Sequence, residues 1–294
     1  MKRINTAYLY ALIAVLFWGT AASAFKIGLK YCNYLQLLLY SSITAFIVLF
    51  LILLIQRKVK LIFLMTNYDF LKSALLGFLS PFLYYVILFK AYSLLDAQIA
   101  QTLNFIWPIT LVILSIPILK QKLSYSSFVA LLISFVGVYF ISSKGEFLNS
   151  NFAEPFGMFL AVSSSFIWAL YWLYNVKDNQ NYLVRLIFNF FFASVFIFIT
   201  VLFFSSFKIS IYGLLSAIYI GLFEMAFTYL IWLRALQLSK STANISNLIF
   251  LTPVISLIFI SIILHEKIYY TTIIGLVLIL LGIFIQQRRK RFKK

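Results

Sequence analysis

The chain has 294 residues, of which 64% are hydrophobic and only 11% charged, with a formal net charge of +17. A water-soluble domain is about half apolar and a quarter charged, so the polar residues here are too few to cover a soluble surface. One cysteine, Cys32, excludes an internal disulfide, and one histidine, His265, excludes a His/Cys metal cluster and a His-dependent triad in a membrane core.

A helix crosses a bilayer core with about 20 apolar residues. The apolar runs here are long and continuous, unlike the short alternating strands of a barrel. In chain order they predict spans near 8–25, 35–55, 71–93, 97–119 and 126–143, then 156–175, 183–205, 212–235, 241–264 and 270–287. Lys2 and Arg3 before a run ending in Ala22-Ser23-Ala24 imitate a secretory signal. The run is read as a retained first helix because it has a counterpart later in the chain. The expected fold is an all-α membrane protein with ten transmembrane helices. Its basic residues cluster between the runs and in the tail Arg288–Lys294. Lysine and arginine set membrane orientation, and placing both termini in the cytoplasm puts 18 of the 24 basic residues on that side. The charge therefore reads as a topology signal with no nucleic-acid partner, and the tail as a segment lying against anionic membrane lipid.

The sequence repeats itself. YYVILFKAYSL from Tyr84 aligns with TYLIWLRALQL from Thr228, matching Tyr85 to Tyr229, Lys90 to Arg234 and Ala91 to Ala235. After a one-residue shift Pro108 matches Pro253, ILKQKLSY matches ILHEKIYY, and Gly137 matches Gly282; in the leading helices Trp18 matches Trp168. Each copy holds five helices. Five is odd, so the second copy enters the membrane from the opposite side, giving two inverted repeats. The expected boundaries are 1–145 for the first repeat, 146–287 for the second and 288–294 for a basic cytoplasmic tail. Inverted repeats are the signature of transporters that alternate access around a midplane site.

Trp18-Gly19 in the first helix resembles the EamA branch of the drug/metabolite transporter superfamily. So does a proline in each of helices four and nine, followed by a short polar loop and a Gly-containing helix. The resemblance spans nearly the whole chain. Asn104-Phe105-Ile106-Trp107-Pro108, Phe166-Ile167-Trp168-Ala169 and the Trp232 region are also similar to YddG-like amino-acid exporters. Three features depart from the pattern, one being His265-Glu266-Lys267, which keeps the family's Glu in the second half but lacks its Gly. Lys120-Gln121-Lys122 replaces the family's Gly-Glu pair after helix four, and Glu224 in helix eight has no counterpart associated with the YddG-like group. The resemblance implies a pseudosymmetric bundle around a central cavity lined by helices three, four, eight and nine, in a bacterial inner membrane. It further implies export of an amino acid or related metabolite.

The candidate cavity residues follow from spacing. Gln98, Gln101, Asn104 and Pro108 recur at intervals that place them on one face of helix four, with Trp107 beside it. Asn244, Asn247 and Pro253 answer in helix nine. Such a polar stripe faces the bundle or water rather than lipid, either lining a cavity or joining helices by hydrogen bonds. Glu224 lies about halfway along helix eight, and an intramembrane carboxylate is a functional candidate by default. Three roles are open to it: proton coupling, counter-charge for a substrate amino group, or a hydrogen bond to a neighbouring helix. Trp18, Trp168, Trp172, Tyr84, Tyr85 and Tyr229 are candidate walls for aromatic or cationic solutes, or packing residues. The partners expected are a small-molecule solute, membrane lipid and protons. No cofactor is expected, and no Gly-rich phosphate loop for ATP occurs.

Two competing classes remain on the same sequence. A lipid- or isoprenoid-modifying membrane enzyme would cluster its acids near one interface, whereas the seven here are scattered from Asp69 to Glu266. A lipid flippase, a passive channel, or an uptake carrier for another metabolite or cationic drug would use the same bundle.

Overall fold

The computed structural model describes residues 2–119, 125–143, 154–175, 181–238 and 247–288. Asn244 and the tail beyond Arg288 lie outside them. Among the described residues every regular element is helical. α1 (Lys2–Tyr31) is followed by α2 (Tyr34–Ile55), a short 3₁₀ turn (Val59–Leu64) and α3 (Asn67–Gly77). A π-type segment (Phe78–Leu83) joins α3 to α4 (Tyr84–Leu94); then come α5 (Ala97–Asn104), α6 (Trp107–Leu119) and α7 (Tyr125–Ser142). α8 (Pro155–Asn175) and α9 (Tyr182–Phe204) precede α10 (Ile211–Tyr219), which runs through a π segment (Ile220–Ala226) into α11 (Phe227–Leu238). A 3₁₀ segment (Asn247–Leu251), α12 (Thr252–Leu264) and α13 (Tyr270–Arg288) complete the chain.

Among the described residues six helical stretches are long and apolar enough to cross a bilayer: Thr6–Tyr31, Tyr34–Ile55, Asn67–Leu94, Pro155–Tyr174, Tyr182–Phe204 and Ile211–Trp232. Shorter apolar helices cover Leu132–Ile141, Leu248–Leu264 and Tyr270–Ile285. Large apolar side chains stand exposed along them, among them Leu202, Phe203 and Phe204 on α9 and Ile273, Val277 and Phe284 on α13. In water that surface would be unstable; against acyl chains it costs nothing. The chain is a multi-pass integral membrane protein.

Local signals start the helices. Asn33 caps α2 by accepting from the amides of Leu35 and Gln36, while the Gln36 side chain accepts from the Asn33 amide. Thr66 and Asp69 make the same reciprocal box at α3, and Asn181 caps α9. Each satisfies amide groups that a helix start leaves unbonded. The loop 205–210 is tied to the start of α2, because the Gln36 amide donates to the carbonyls of Ser206 and Lys208, each at 2.8 Å.

Packing brings distant parts of the chain together. α1 lies against α11 and α12, α4 against α8, α2 along α9, and α7 along α13. Close approaches occur at glycines. A Cβ on Gly77 would lie 2.4 Å from the Asn189 carbonyl oxygen, and one on Gly221 would lie 2.5 Å from that of Ser41. Gly137 and Gly275 similarly bring the backbones of α7 and α13 together. Gly137 thus meets Gly275 in space, while its match by sequence is Gly282.

Candidate functional site

Two interruptions of helical geometry shape the centre of the bundle. α5 ends at Asn104, four residues before Pro108. A proline has no N–H to bond the carbonyl four residues back, and its ring clashes with that carbonyl. The chain accordingly leaves the α5 axis through Phe105 and Ile106 and restarts as α6 at Trp107. Pro253 takes the same place at the start of α12, after a 3₁₀ segment in place of an α turn. Phe105 and Phe250 meet edge to face at 6.3 Å, linking the two irregular stretches.

The second kind of interruption is the π segment Ile220–Ala226, which contains Glu224. A π turn leaves a carbonyl without its usual partner. The Thr228 hydroxyl meets part of that need by donating to the Phe223 carbonyl. In the corresponding stretch of the other long broken helix, Ser80 lies extended (φ −152°, ψ 125°) immediately before Pro81. α-Helical geometry is disfavoured directly before a proline.

These breaks surround a connected set of polar and aromatic groups. The Tyr85 hydroxyl donates to Glu224 Oε1 at 3.0 Å. Glu224 Oε2 is buried and has no hydrogen-bond partner among the described residues. Tyr85 packs edge to face on Tyr84 at 4.7 Å, and Tyr84 stacks on Trp168 at 4.8 Å with 26° between the planes. Tyr229, five residues beyond Glu224, touches Trp168 at 6.0 Å and Trp18 at 6.2 Å, both edge to face. Trp172 lies edge-on to Trp168 at 5.8 Å. The Tyr84 hydroxyl donates to Asn104 Oδ1 at 3.3 Å, and the Asn104 amide donates to Ser164 Oγ at 2.8 Å. Trp18, Tyr84, Tyr85, Asn104, Trp168, Trp172, Glu224 and Tyr229 are thereby brought into one network. Aromatic pairs in such edge and offset arrangements contribute about 0.5–1.5 kcal/mol each beyond the area they bury.

Other predicted residues go elsewhere. Gln98 is buried, and its carboxamide joins α5 to the start of α13. It donates to the Lys267 carbonyl at 3.0 Å and accepts from the Tyr269 amide at 3.0 Å and the Thr272 hydroxyl at 3.1 Å. Gln101 accepts from the Tyr92 hydroxyl at 2.7 Å. Trp107 is half-buried against the apolar core beside the buried Pro108. Asn247 opens the 3₁₀ segment, Pro253 is buried in the first turn of α12, and Asn244 falls outside the described residues.

Spacing alone did not single out Ser164, Tyr171 or Lys26. Ser164 holds Asn104, and Tyr171 stacks on Trp168 at 5.6 Å. Both lie near Trp168 in sequence, so the α8 periodicity around that tryptophan was the available signal. Lys26 donates to the carbonyls of Tyr92 at 3.0 Å and Leu95 at 2.8 Å, closing the exposed end of α4. Glu266 accepts from the amides of Ala97 at 3.1 Å and Gln98 at 3.4 Å, capping α5 from a distant loop. Beside it, burial and the Asp96 and Glu266 carboxylates raise the Tyr269 phenol above its ordinary range. Among the described residues no group of three His, Cys, Asp or Glu side chains could hold a metal ion.

A solved crystal structure has the same fold over 99% of this chain and 99% of its own, with a TM-score of 0.67 at 16% identity. Curated relatives align over nearly their full lengths. An uncharacterized transporter of Archaeoglobus fulgidus is 26% identical over 284 residues, covering 95% of this chain and 97% of the relative. The uncharacterized transporter YoaV of Bacillus subtilis is 28% identical over 288 residues, covering 92% of each, and YvbV of the same organism is 26% identical over 303 residues, covering 100% and 95%. These relatives are transporters, not enzymes. The EamA-like transporter family matches residues 5–143 and 155–286. With both stretches matched, the chain belongs to the EamA-like transporter family, within the drug/metabolite transporter superfamily.

Proposed function

We propose that the protein is a secondary transporter that exports a small organic solute, an amino acid or related metabolite, from a bacterial cell across its inner membrane. The observation that carries this reading is the hydrogen bond from Tyr85 to Glu224 at 3.0 Å, with the second carboxylate oxygen buried and unpartnered. A carboxylate held inside a helical bundle beside broken helices is the arrangement of a substrate or ion pathway. The central site comprises the network around Tyr84, Tyr85, Asn104, Trp168, Glu224 and Tyr229, with Trp18, Gln101, Trp107 and Trp172 around it and hinges at Pro108 and Pro253.

Alternating access comes from rocking of two inverted five-helix repeats, 1–145 and 146–287, with both termini in the cytoplasm. Paired packing supports the repeat. Gly77 and Gly221 are 144 positions apart, the spacing that aligns Tyr85 with Tyr229. Gly77 rests on the Asn189 backbone of α9, and Gly221 on the Ser41 backbone of α2. Ser41 and Asn189 are 148 apart, as are the helix caps Asn33 and Asn181. Each contact therefore has a partner when the two parts of the chain are exchanged.

Glu224 takes up or releases a proton as solute leaves or arrives. Solute flux in proteoliposomes, with and without a pH gradient, tests this for wild type and Glu224→Gln. Wild-type flux is expected to respond to the gradient and the variant to lose that response. Equal gradient dependence in both ends the coupling reading, and absence of saturable flux and counterflow for every solute tried ends the transport reading.

A further inference from the structure

The surroundings of Glu224 carry information about the charge of what binds. Its carboxylate has one donor, the Tyr85 hydroxyl, and one buried oxygen with none. A carboxylate can accept at both oxygens, so half of this group's capacity is unused. Among the described residues its one hydrogen bond comes from the Tyr85 hydroxyl, and no lysine or arginine pairs with it. The phenols of Tyr85, Tyr84 and Tyr229 belong to the same network. Rings make up the rest of the network: Tyr84 on Trp168, Tyr85 on Tyr84, and Tyr229 against Trp168 and Trp18. Aromatic faces carry negative potential and attract cations when water is excluded.

A zwitterionic amino acid needs two complements, an anion for its ammonium and a cation or dense donor set for its carboxylate. Among the described residues the site shows the first and no lysine or arginine for the second. Several donors near it are already committed, while the Trp172 Nε1–H is buried without a partner among the described residues. The Asn104 amide donates to Ser164 and the Ser164 hydroxyl to the Ala161 carbonyl, while Tyr85 serves Glu224 and Tyr84 serves Asn104. A solute carboxylate placed here would lose its hydration without a counter-charge, which is costly in a low-dielectric site.

We propose that the Glu224 site selects an organic monocation, an amine with a planar or apolar body and no carboxylate, using the unpartnered Oε2 as the ammonium acceptor and the surrounding rings as its cation-binding wall. This narrows the transport reading and rests on it. The solute class becomes amines and amine-bearing metabolites, as distinct from free amino acids. Tyr85 is a positioning residue that holds the carboxylate so that Oε2 points away from it.

A matched set of probes tests the charge rule at constant ring size. Binding of phenethylamine, phenylalanine methyl ester, phenylalanine and 3-phenylpropionate to purified protein in nanodiscs is measured by calorimetry. The amine and the ester are expected to bind at least tenfold more tightly than phenylalanine, and phenylpropionate not at all. Glu224→Gln is expected to lose that preference, and Glu224→Asp to retain part of it, which separates lost charge from lost folding. Tyr85→Phe is expected to weaken amine binding several-fold while keeping the order of the probes. Phenylalanine binding as tightly as phenethylamine, a preference unchanged in Glu224→Gln, or no amine binding by monodisperse protein would each overturn the proposal. Flux separates the two readings. Saturable transport of phenylalanine that survives Glu224→Gln sinks the charge rule and leaves transport standing. Amine binding without flux of any solute sinks transport and leaves the site standing.

Discussion

Gln98 and Glu224 are both polar residues inside an apolar bundle, yet their surroundings give them opposite roles. Gln98 has its oxygen and its nitrogen engaged by the 267–272 stretch, so it fastens α5 to the start of α13. Leaving such partners unsatisfied costs about 1–3 kcal/mol. Gln98→Ala is therefore expected to lower the thermal midpoint clearly in a detergent melt, with amine binding at Glu224 unchanged. Glu224 keeps an unused oxygen, and its replacement by Gln is expected to affect binding far more than melting. Cys32 provides a chemical readout at the edge of the bundle. Burial pushes its thiol up to about 11, and its Sγ donates to the Gly28 carbonyl at 3.3 Å. Only the thiolate is nucleophilic. Below that pKa each unit of pH multiplies the thiolate fraction by about ten. Alkylation of Cys32 is thus expected to keep accelerating from pH 8 to pH 10, where an ordinary thiol levels off near its pKa of about 8.5. A plateau below pH 9 would contradict this environment. The sequence made Glu224 stand out because an acid in an apolar run is rare. It could not separate Gln98 from Asn104, which belong to one polar stripe in the sequence; only the distant partners, Lys267 and Ser164, tell a fastener from a network member.

At the scale of elements, the legible features were those set by local chemistry. Apolar runs marked the helices, and Pro108 marked a break whose place, after Asn104, follows from its missing amide. The π segment Ile220–Ala226 was not legible, because a π turn depends on what packs against it, here Ser41 and Thr44 of α2. The first helix also extends past its predicted end, through Lys26 to Tyr31, because the Lys26 ammonium finds the carbonyls of Tyr92 and Leu95. The break at Pro108 yields a clean test. Pro108→Ala restores an amide able to bond the Asn104 carbonyl, contributing about 1 kcal/mol. It also frees the unfolded chain, which costs about 0.4–1 kcal/mol. These offset, so melting is expected to change little while solute flux falls at least tenfold. Little change in flux would remove the hinge role from Pro108. A further prediction concerns close approach. Gly221→Ala and Gly77→Ala place a methyl against backbone oxygens at 2.5 and 2.4 Å, and each is expected to destabilise by about 1–3 kcal/mol. Gly28→Ala meets the Leu37 side-chain tip at 2.6 Å, which can turn aside, and is expected to melt closer to wild type.

Across the whole molecule, the charge distribution and the proposed repeat make one prediction about sidedness. The loop carrying Arg57 and Lys58 and the loop carrying Lys208 are expected on opposite faces of the membrane. In a Cys32→Ser background, a single cysteine at Lys208 is expected to react with a membrane-impermeant maleimide in intact cells, and one at Arg57 only after permeabilisation. The reverse pattern would invert the orientation, and labelling of both in intact cells would break the topology. The π segment has a last consequence, for how the chain tolerates changes in length. An α-helix turns about 100° per residue. Losing one residue from an ordinary span rotates everything beyond it off its packed face. A π turn already carries one residue more than an α turn of similar rise. Shortening Ile220–Ala226 by one residue is therefore expected to leave Tyr229 and Trp232 on their own faces and to re-aim only the carboxylate between them. Natural variation in this stretch could then retune the cargo of a carrier while sparing its scaffold.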